Sequence, residues 1–158
     1  MNDLYGRIKH DESEGVRFGK LFAELYYYMG KNILEAMGEE AGSKVIEKAL
    51  DEFAGLRIES MKEEAAEQGI DVKSMEDYFK IRDMPDCGWK NGSQRGIVEN
   101  CLFDEMWKKY GDLGKKLEAL YCKIDFLLYG SFGFQLERPQ CKCFGDDICQ
   151  FILTRKDG

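Results

Sequence analysis

Four of the six cysteines in this 158-residue chain fall in its last third, three of them in Cys141-Lys142-Cys143-Phe144-Gly145-Asp146-Asp147-Ile148-Cys149. Sulfur crowded about a Gly-Asp turn constrains the fold more than any other feature, because the chain must reverse there and bring thiols together. Strand alternation would place Glu137, Pro139, Cys141 and Cys143 on one face. With an odd loop, Cys141 then sits across from Cys149, their β-carbons about 5 Å apart, close enough for two thiolates to share one ion. Pro139 marks an edge strand or a bulge, and a bulge would slip the alternation by one residue. The chain has a single histidine. A Ser/His/Asp relay is effectively excluded, and the chemistry narrows to sulfur, carboxylate or bound metal.

The first 15 residues are polar and charged and read as a flexible segment without a basic-then-apolar leader. No apolar run approaches membrane-spanning length. The expectation is a soluble, cytoplasmic protein that does not enter a membrane. Thiols stay reduced in that compartment, so metal-binding, catalytic or buried roles are favoured over a disulfide framework. One domain over 1–158 is expected, since a chain near this length buries about 70% of its unfolded surface. The formal charge is -7. That balance argues against a nucleic-acid partner, which needs a coherent basic face, and leaves a small-molecule ligand or substrate.

Residues 16–84 read as a helical half. Phe18, Phe22, Leu25, Met29, Ile33 and Met37 recur at helical spacing up to Gly38, and Val45, Ala49, Phe53 and Leu56, with Ile46 and Leu50 alongside, form a second amphipathic helix. Ser74 and Asp77 form a capping box for a short helix ending near Pro85. The Tyr26-Tyr27-Tyr28 cluster reads as core or as a homo-oligomer contact. Residues 85–154 read as hairpin, helix, helix, hairpin: an Asn91-Gly92 turn, helices over about 102–110 and 113–129, and a final hairpin of 134–143 with 148–154. The architecture is α+β, with an antiparallel sheet built from hairpins.

Residues 113, 117, 120, 124 and 127 make one aliphatic stripe, and Cys122 lies nearly opposite it beside Glu118, Asp125 and Tyr129. Cysteine and tyrosine prefer partial burial. That second face therefore packs on a pocket or on the last hairpin, or else Cys122 is simply a buried thiol. Cys101 sits where a helix begins, a position that can lower a thiol pKa and make it a nucleophile; Glu99 and Asp104 oppose this. Cys87 has no chemical partner in the sequence.

Cys101-Leu102-Phe103-Asp104-Glu105-Met106-Trp107, Tyr121-Cys122-Lys123-Ile124-Asp125, Phe134-x-Leu-Glu137-Arg138 and Cys143-Phe144-Gly145-Asp146-Asp147-Ile148-Cys149-Gln150-Phe151, in this order, resemble the L-2-amino-thiazoline-4-carboxylic acid hydrolase family over about 87–154. The resemblance implies ring opening of a cyclic amidine by water to an N-carbamoyl amino acid. On that reading Asp125 is base or amidinium partner, Cys122 or Cys101 the nucleophile, and Arg138 or Arg95 the carboxylate-binding residue, with Tyr129 on the substrate. The ending is also similar to vinyl-reductase-type ligand-sensor domains. That second resemblance implies zinc, or another Cys-bound metal, on Cys122, Cys141 and Cys149 with Glu137 as the acidic ligand, although Glu137 lies one residue too far from Cys141. The alternative function is a non-enzymatic binding or sensor module with a structural metal. Either way Cys122, Asp125, Cys141 and Cys149 are expected to converge.

Overall fold

The structure is a computed structural model and describes residues 7–87, 89–91 and 94–156. Helix α1, Glu14–Met37, starts at Ser13, whose side chain accepts from the Val16 N–H. It ends at Gly38, whose φ of 84° suits a residue without a Cβ. Helix α2, Glu39–Gln68, follows directly and stops at the left-handed Gly69. Ahead of α1, the buried Lys20 ammonium ties Arg7 O at 2.7 Å and the Glu12 carboxylate at 2.5 Å.

Both helices bury a different face from the one their largest apolar residues mark. Phe18, Leu25 and Met29 of α1 are 72%, 62% and 58% exposed, while Gly19, Ala23, Tyr27, Gly30 and Leu34 point inward. The reason is close approach: a Cβ on Gly19 would stand 2.8 Å from Leu102 Cδ2, and one on Gly30 would stand 2.6 Å from Leu117 Cδ2. Small residues let α1 close on its neighbours, and packing density at short range outweighs the bulk of the opposite stripe. In α2, likewise, Ile46, Ala54, Arg57 and Met61 are inside and Val45 and Leu56 outside.

Helix α3, Met75–Ile81, carries the expected capping box between Ser74 and Asp77. Strands β1, Lys90–Asn91, and β2, Ile97–Asn100, pair antiparallel. Gly92 of the expected Asn-Gly turn lies outside the described residues. Helix α4, Leu102–Trp107, runs through a 3-10 turn at Lys108–Tyr110 into α5, Gly111–Cys122. The single helix expected over 113–129 is two, α5 and α6, Ile124–Gly130, separated at Lys123. Gly114 lets α5 fold back on α4, since a Cβ there would meet Trp107 O at 1.9 Å.

The last hairpin differs from expectation. Strand β3, Phe134–Glu137, pairs with β5, Ile152–Arg155, whereas β4, Cys149–Gln150, adds to β2 through Val98↔Cys149. Cys141 therefore lies on no strand: Pro139 has no N–H for the ladder, and the chain turns at Lys142–Phe144 instead. Strand alternation does not bring the cysteines together. The result is α+β, six helices with two small antiparallel sheets among the described residues. No helix among them is long and apolar enough to cross a membrane. Trp107, Met106 and Leu117 are fully buried at the centre.

Candidate functional site

A cavity of about 510 Å³ opens between α3, β2, α5, α6 and the loop after β3, within the 300–1,000 Å³ usual for small-molecule sites. Cys101, Cys122, Asp125, Tyr129, Arg138, Cys141, Cys149 and Arg95 all line it. Glu137 does not. It is exposed on β3, because Phe134 and Leu136 take the buried face and the pleat turns residue 137 outward.

Arg138 organises the wall. Its side chain is 3% exposed, and Nη1 donates to Asp125 Oδ2 at 2.9 Å and to Cys122 O at 2.8 Å. The guanidinium also lies 5.0 Å from the Phe126 ring centroid. Asp125 thus has one oxygen held, while Oδ1 has no hydrogen-bond partner among the described residues. Burial raises the Asp125 carboxyl above its ordinary range, against the pull of Arg138, Arg57 and Arg82. Arg95, expected as a carboxylate binder, is paired with Glu76. Sequence reasoning missed Arg57 and Arg82 on the same wall. Arg57 forms a bidentate pair with Asp83 at 2.7 and 2.8 Å, a contact from α2 to the segment after α3 that no local motif announces.

The sulfurs of Cys122, Cys141 and Cys143 lie within 4.8 Å of one another, and Cys149 Sγ is 4.0 Å from Cys141 Sγ. Cys141 and Cys143 are disulfide-bonded here, whereas reduced thiols were the expectation. The turn is built by the chain's own donors. Asp146 Oδ2 accepts from Cys141 N at 2.9 Å, Cys149 Sγ from Lys142 N at 3.3 Å, and Cys141 Sγ from Cys143 N at 3.3 Å. Gly145 supplies the left-handed step at φ 92°. Cys143, which the sequence reading left without a role, completes the group in the place expected of Glu137. Its signal was the C-x-C spacing.

Neither candidate nucleophile is an activated thiol. Cys101 caps α4 and receives an N–H from Trp89 Nε1 at 3.2 Å. Even so, burial raises it to about 12, outweighing the helix N-terminus that was expected to lower it. Cys122 is pushed well above its ordinary value by burial, then by the charges of Asp125, Cys101 and Glu118.

Behind the sulfurs, Lys115 Nζ bridges Asp104 Oδ1 and Lys142 O, both at 2.9 Å, and lies 3.3 Å from Glu118 Oε2. Glu118 is 2% exposed, and burial, then the neighbouring Asp104, raises its carboxyl to about 7 against the pull of Lys115. The folded state therefore keeps a proton that the unfolded chain releases near 4.5. Glu118's contribution to stability is fully present below about pH 4.5 and is lost as pH rises through about 7, with a slope of at most about 1.4 kcal/mol per pH unit. Urea unfolding between about pH 5 and pH 8 should show this slope flattened in Glu118→Gln. Parallel curves for the two proteins would refute it.

Fold and cavity together define an α+β domain with a sulfur-edged pocket, lined by aromatic rings and arginines, between helices and sheets. The sequence profile of the L-2-amino-thiazoline-4-carboxylic acid hydrolase family matches residues 19–153, and the chain belongs to that family. The match takes in α1 and α2 as well as the segment that carries the motifs. No significant match was found among curated proteins or solved structures.

Proposed function

We propose that the protein hydrolyses a small cyclic amidine bearing a carboxylate, of the 2-amino-thiazoline-4-carboxylate kind. The observation that carries this reading is Asp125, which lines the cavity with Oδ2 held by Arg138 and Oδ1 left to act. A carboxyl raised by burial is a stronger base than an exposed one. With both thiols protonated, water rather than sulfur is the nucleophile. Asp125 Oδ1 takes the proton as the water oxygen bonds to the amidine carbon and the C=N electrons move onto ring nitrogen. The added hydroxyl gives its remaining proton to that ring nitrogen as the carbonyl forms, the ring carbon–sulfur bond breaks, and the departing sulfur recovers the first proton from Asp125 as the thiol of an N-carbamoyl amino acid. Incubation of reduced protein with 2-amino-thiazoline-4-carboxylate should yield N-carbamoylcysteine by mass spectrometry. Absence of product with folded protein removes this substrate.

A second reading, a binding or sensor module with a structural metal, is supported by the sulfur cluster. Sulfurs at about 2.3 Å from a tetrahedral centre lie about 3.8 Å apart; Cys141 Sγ has Cys149 Sγ at 4.0 Å, and Cys122, Cys141 and Cys143 lie within 4.8 Å of one another. Cys122, Cys141, Cys143 and Cys149 would hold zinc or another thiophilic metal, tying α5 to the turn. The bonded Cys141–Cys143 pair and such a site exclude each other, so the reduced protein is the one to test. Anaerobically purified protein should carry about one metal per chain by elemental analysis. The ion should be lost in Cys141→Ser/Cys149→Ser. A metal-free, fully reduced protein would leave the cluster to burial and thiol packing.

A further inference from the structure

The cavity wall carries four arginines, Arg57, Arg82, Arg95 and Arg138, although the chain as a whole is acidic. Three of them are spoken for. Arg57 is bound by Asp83, Arg95 by Glu76 and Arg138 by Asp125. Asp86, the remaining acid on the wall, is itself engaged. Arg82 makes no hydrogen bond or ion pair among the described residues. Its contacts are aromatic: the guanidinium carbon lies 5.7 Å from the Phe79 ring centroid and 5.2 Å from that of Trp89.

We propose that Arg82, held against the rings of Phe79 and Trp89, is the carboxylate-binding residue of this cavity, and that the ligand is a small heterocyclic acid. The assignment rests on the hydrolase reading for the identity of the acid, though not for the chemistry of Arg82 and its rings. A guanidinium keeps its charge at any physiological pH and offers a planar fork of N–H donors that matches a carboxylate in two parallel bonds. Rings beside it attract the cation and limit its solvation there without using a single N–H, so the donor edge stays available. The other three guanidinium groups have N–H donors taken up by protein carboxylates, whereas no carboxylate among the described residues takes up those of Arg82, which are left for an anion entering the cavity. The ligand is thereby oriented, its carboxylate on Arg82 at the α3 side and its amidine toward Asp125 on α6. The two arginines expected from sequence to bind the carboxylate, Arg95 and Arg138, are held by carboxylates of the protein itself.

Trp89, one of the two rings, gives a fluorescence readout that needs no turnover. Titrations of the reduced protein would compare 2-amino-thiazoline-4-carboxylate with 2-aminothiazoline, the same ring without the acid. Charged hydrogen bonds of this kind contribute roughly tenfold to a hundredfold in affinity. The acid should therefore bind the wild type tighter by that factor. Arg82→Gln should abolish the preference, leaving 2-aminothiazoline unchanged, and Arg82→Lys should restore only part of it. The proposal is overturned if the wild type does not bind the acid, if it binds both ligands equally, or if either Arg82 variant keeps the full preference. It is also overturned if the preference disappears in Arg95→Gln with Arg82 intact. Selective binding without product formation would instead strike the hydrolase reading and leave the Arg82 assignment standing.

Discussion

Asp125→Asn is expected to lower turnover of 2-amino-thiazoline-4-carboxylate by about 10²–10⁴-fold, the usual contribution of a positioned general base. The amide oxygen can still accept from Arg138 Nη1, which now sits 2.9 Å from Oδ2, but the group can no longer take a proton from water. A structural role would be exposed by the pH profile. In the wild type kcat/KM should fall as pH drops through the Asp125 pKa, which burial has moved upward. That acid limb should be missing in the variant. Some loss of stability accompanies the change, since Arg138 is nearly sealed from solvent and would lose its counter-charge. Circular dichroism and a melting curve separate the two effects. Turnover within tenfold of wild type would rule Asp125 out as the base.

The largest stability effect is expected at Trp107. The indole is fully buried, donates from Nε1 to Ala23 O at 2.8 Å, and lies between the rings of Tyr26, Phe103 and Tyr121 at 5.2, 5.3 and 5.2 Å. Trp107→Ala removes that volume and the indole's hydrogen bond to the Ala23 carbonyl, which keeps its helical partner, a cost of about 3–5 kcal/mol. Trp107→Phe keeps most of the ring and should cost about 1–3 kcal/mol, from the lost hydrogen bond and the smaller volume. Phe103 and Tyr121 line the cavity. Ligand affinity should therefore fall in the alanine variant before global unfolding is reached. Urea denaturation with both variants checks the order, and a cost below about 1.5 kcal/mol for Trp107→Ala would show that the neighbours close the gap.

How much of this was legible in the sequence differs from element to element. The α1 stop followed from Gly38 and the α3 start from Ser74 and Asp77, because caps are local hydrogen-bonding problems solved within a few residues; the Ser13 cap, inside the segment read as flexible, was not anticipated. The buried face of α1 was not legible. Both of its faces are apolar, and the choice went to the side where glycine and alanine allow other helices to approach. Of the four residues expected to converge, Cys122 lies within 4.8 Å of Cys141, Cys149 lies 4.0 Å from Cys141, and Asp125 lines the same cavity, by a route other than the one inferred. A turn capped by Asp146 gathers the sulfurs, and the strand ends early at Glu137.

The sequence by itself determined the α+β class and the family, and it set the expectation that the chemistry is that of sulfur, carboxylate or bound metal. Those follow from periodicity, from ordered short motifs and from residue types, all of which are properties of the chain alone. Tertiary structure decided which arginines are free, which thiols are protonated and which residue stands beside the sulfurs in place of Glu137. A guanidinium's availability depends on whether an acid distant in sequence reaches it, as Asp83 reaches Arg57 and nothing among the described residues reaches Arg82. A thiol's pKa depends on how much water packing removes, and for Cys101 that burial outweighs the helix end on which it sits.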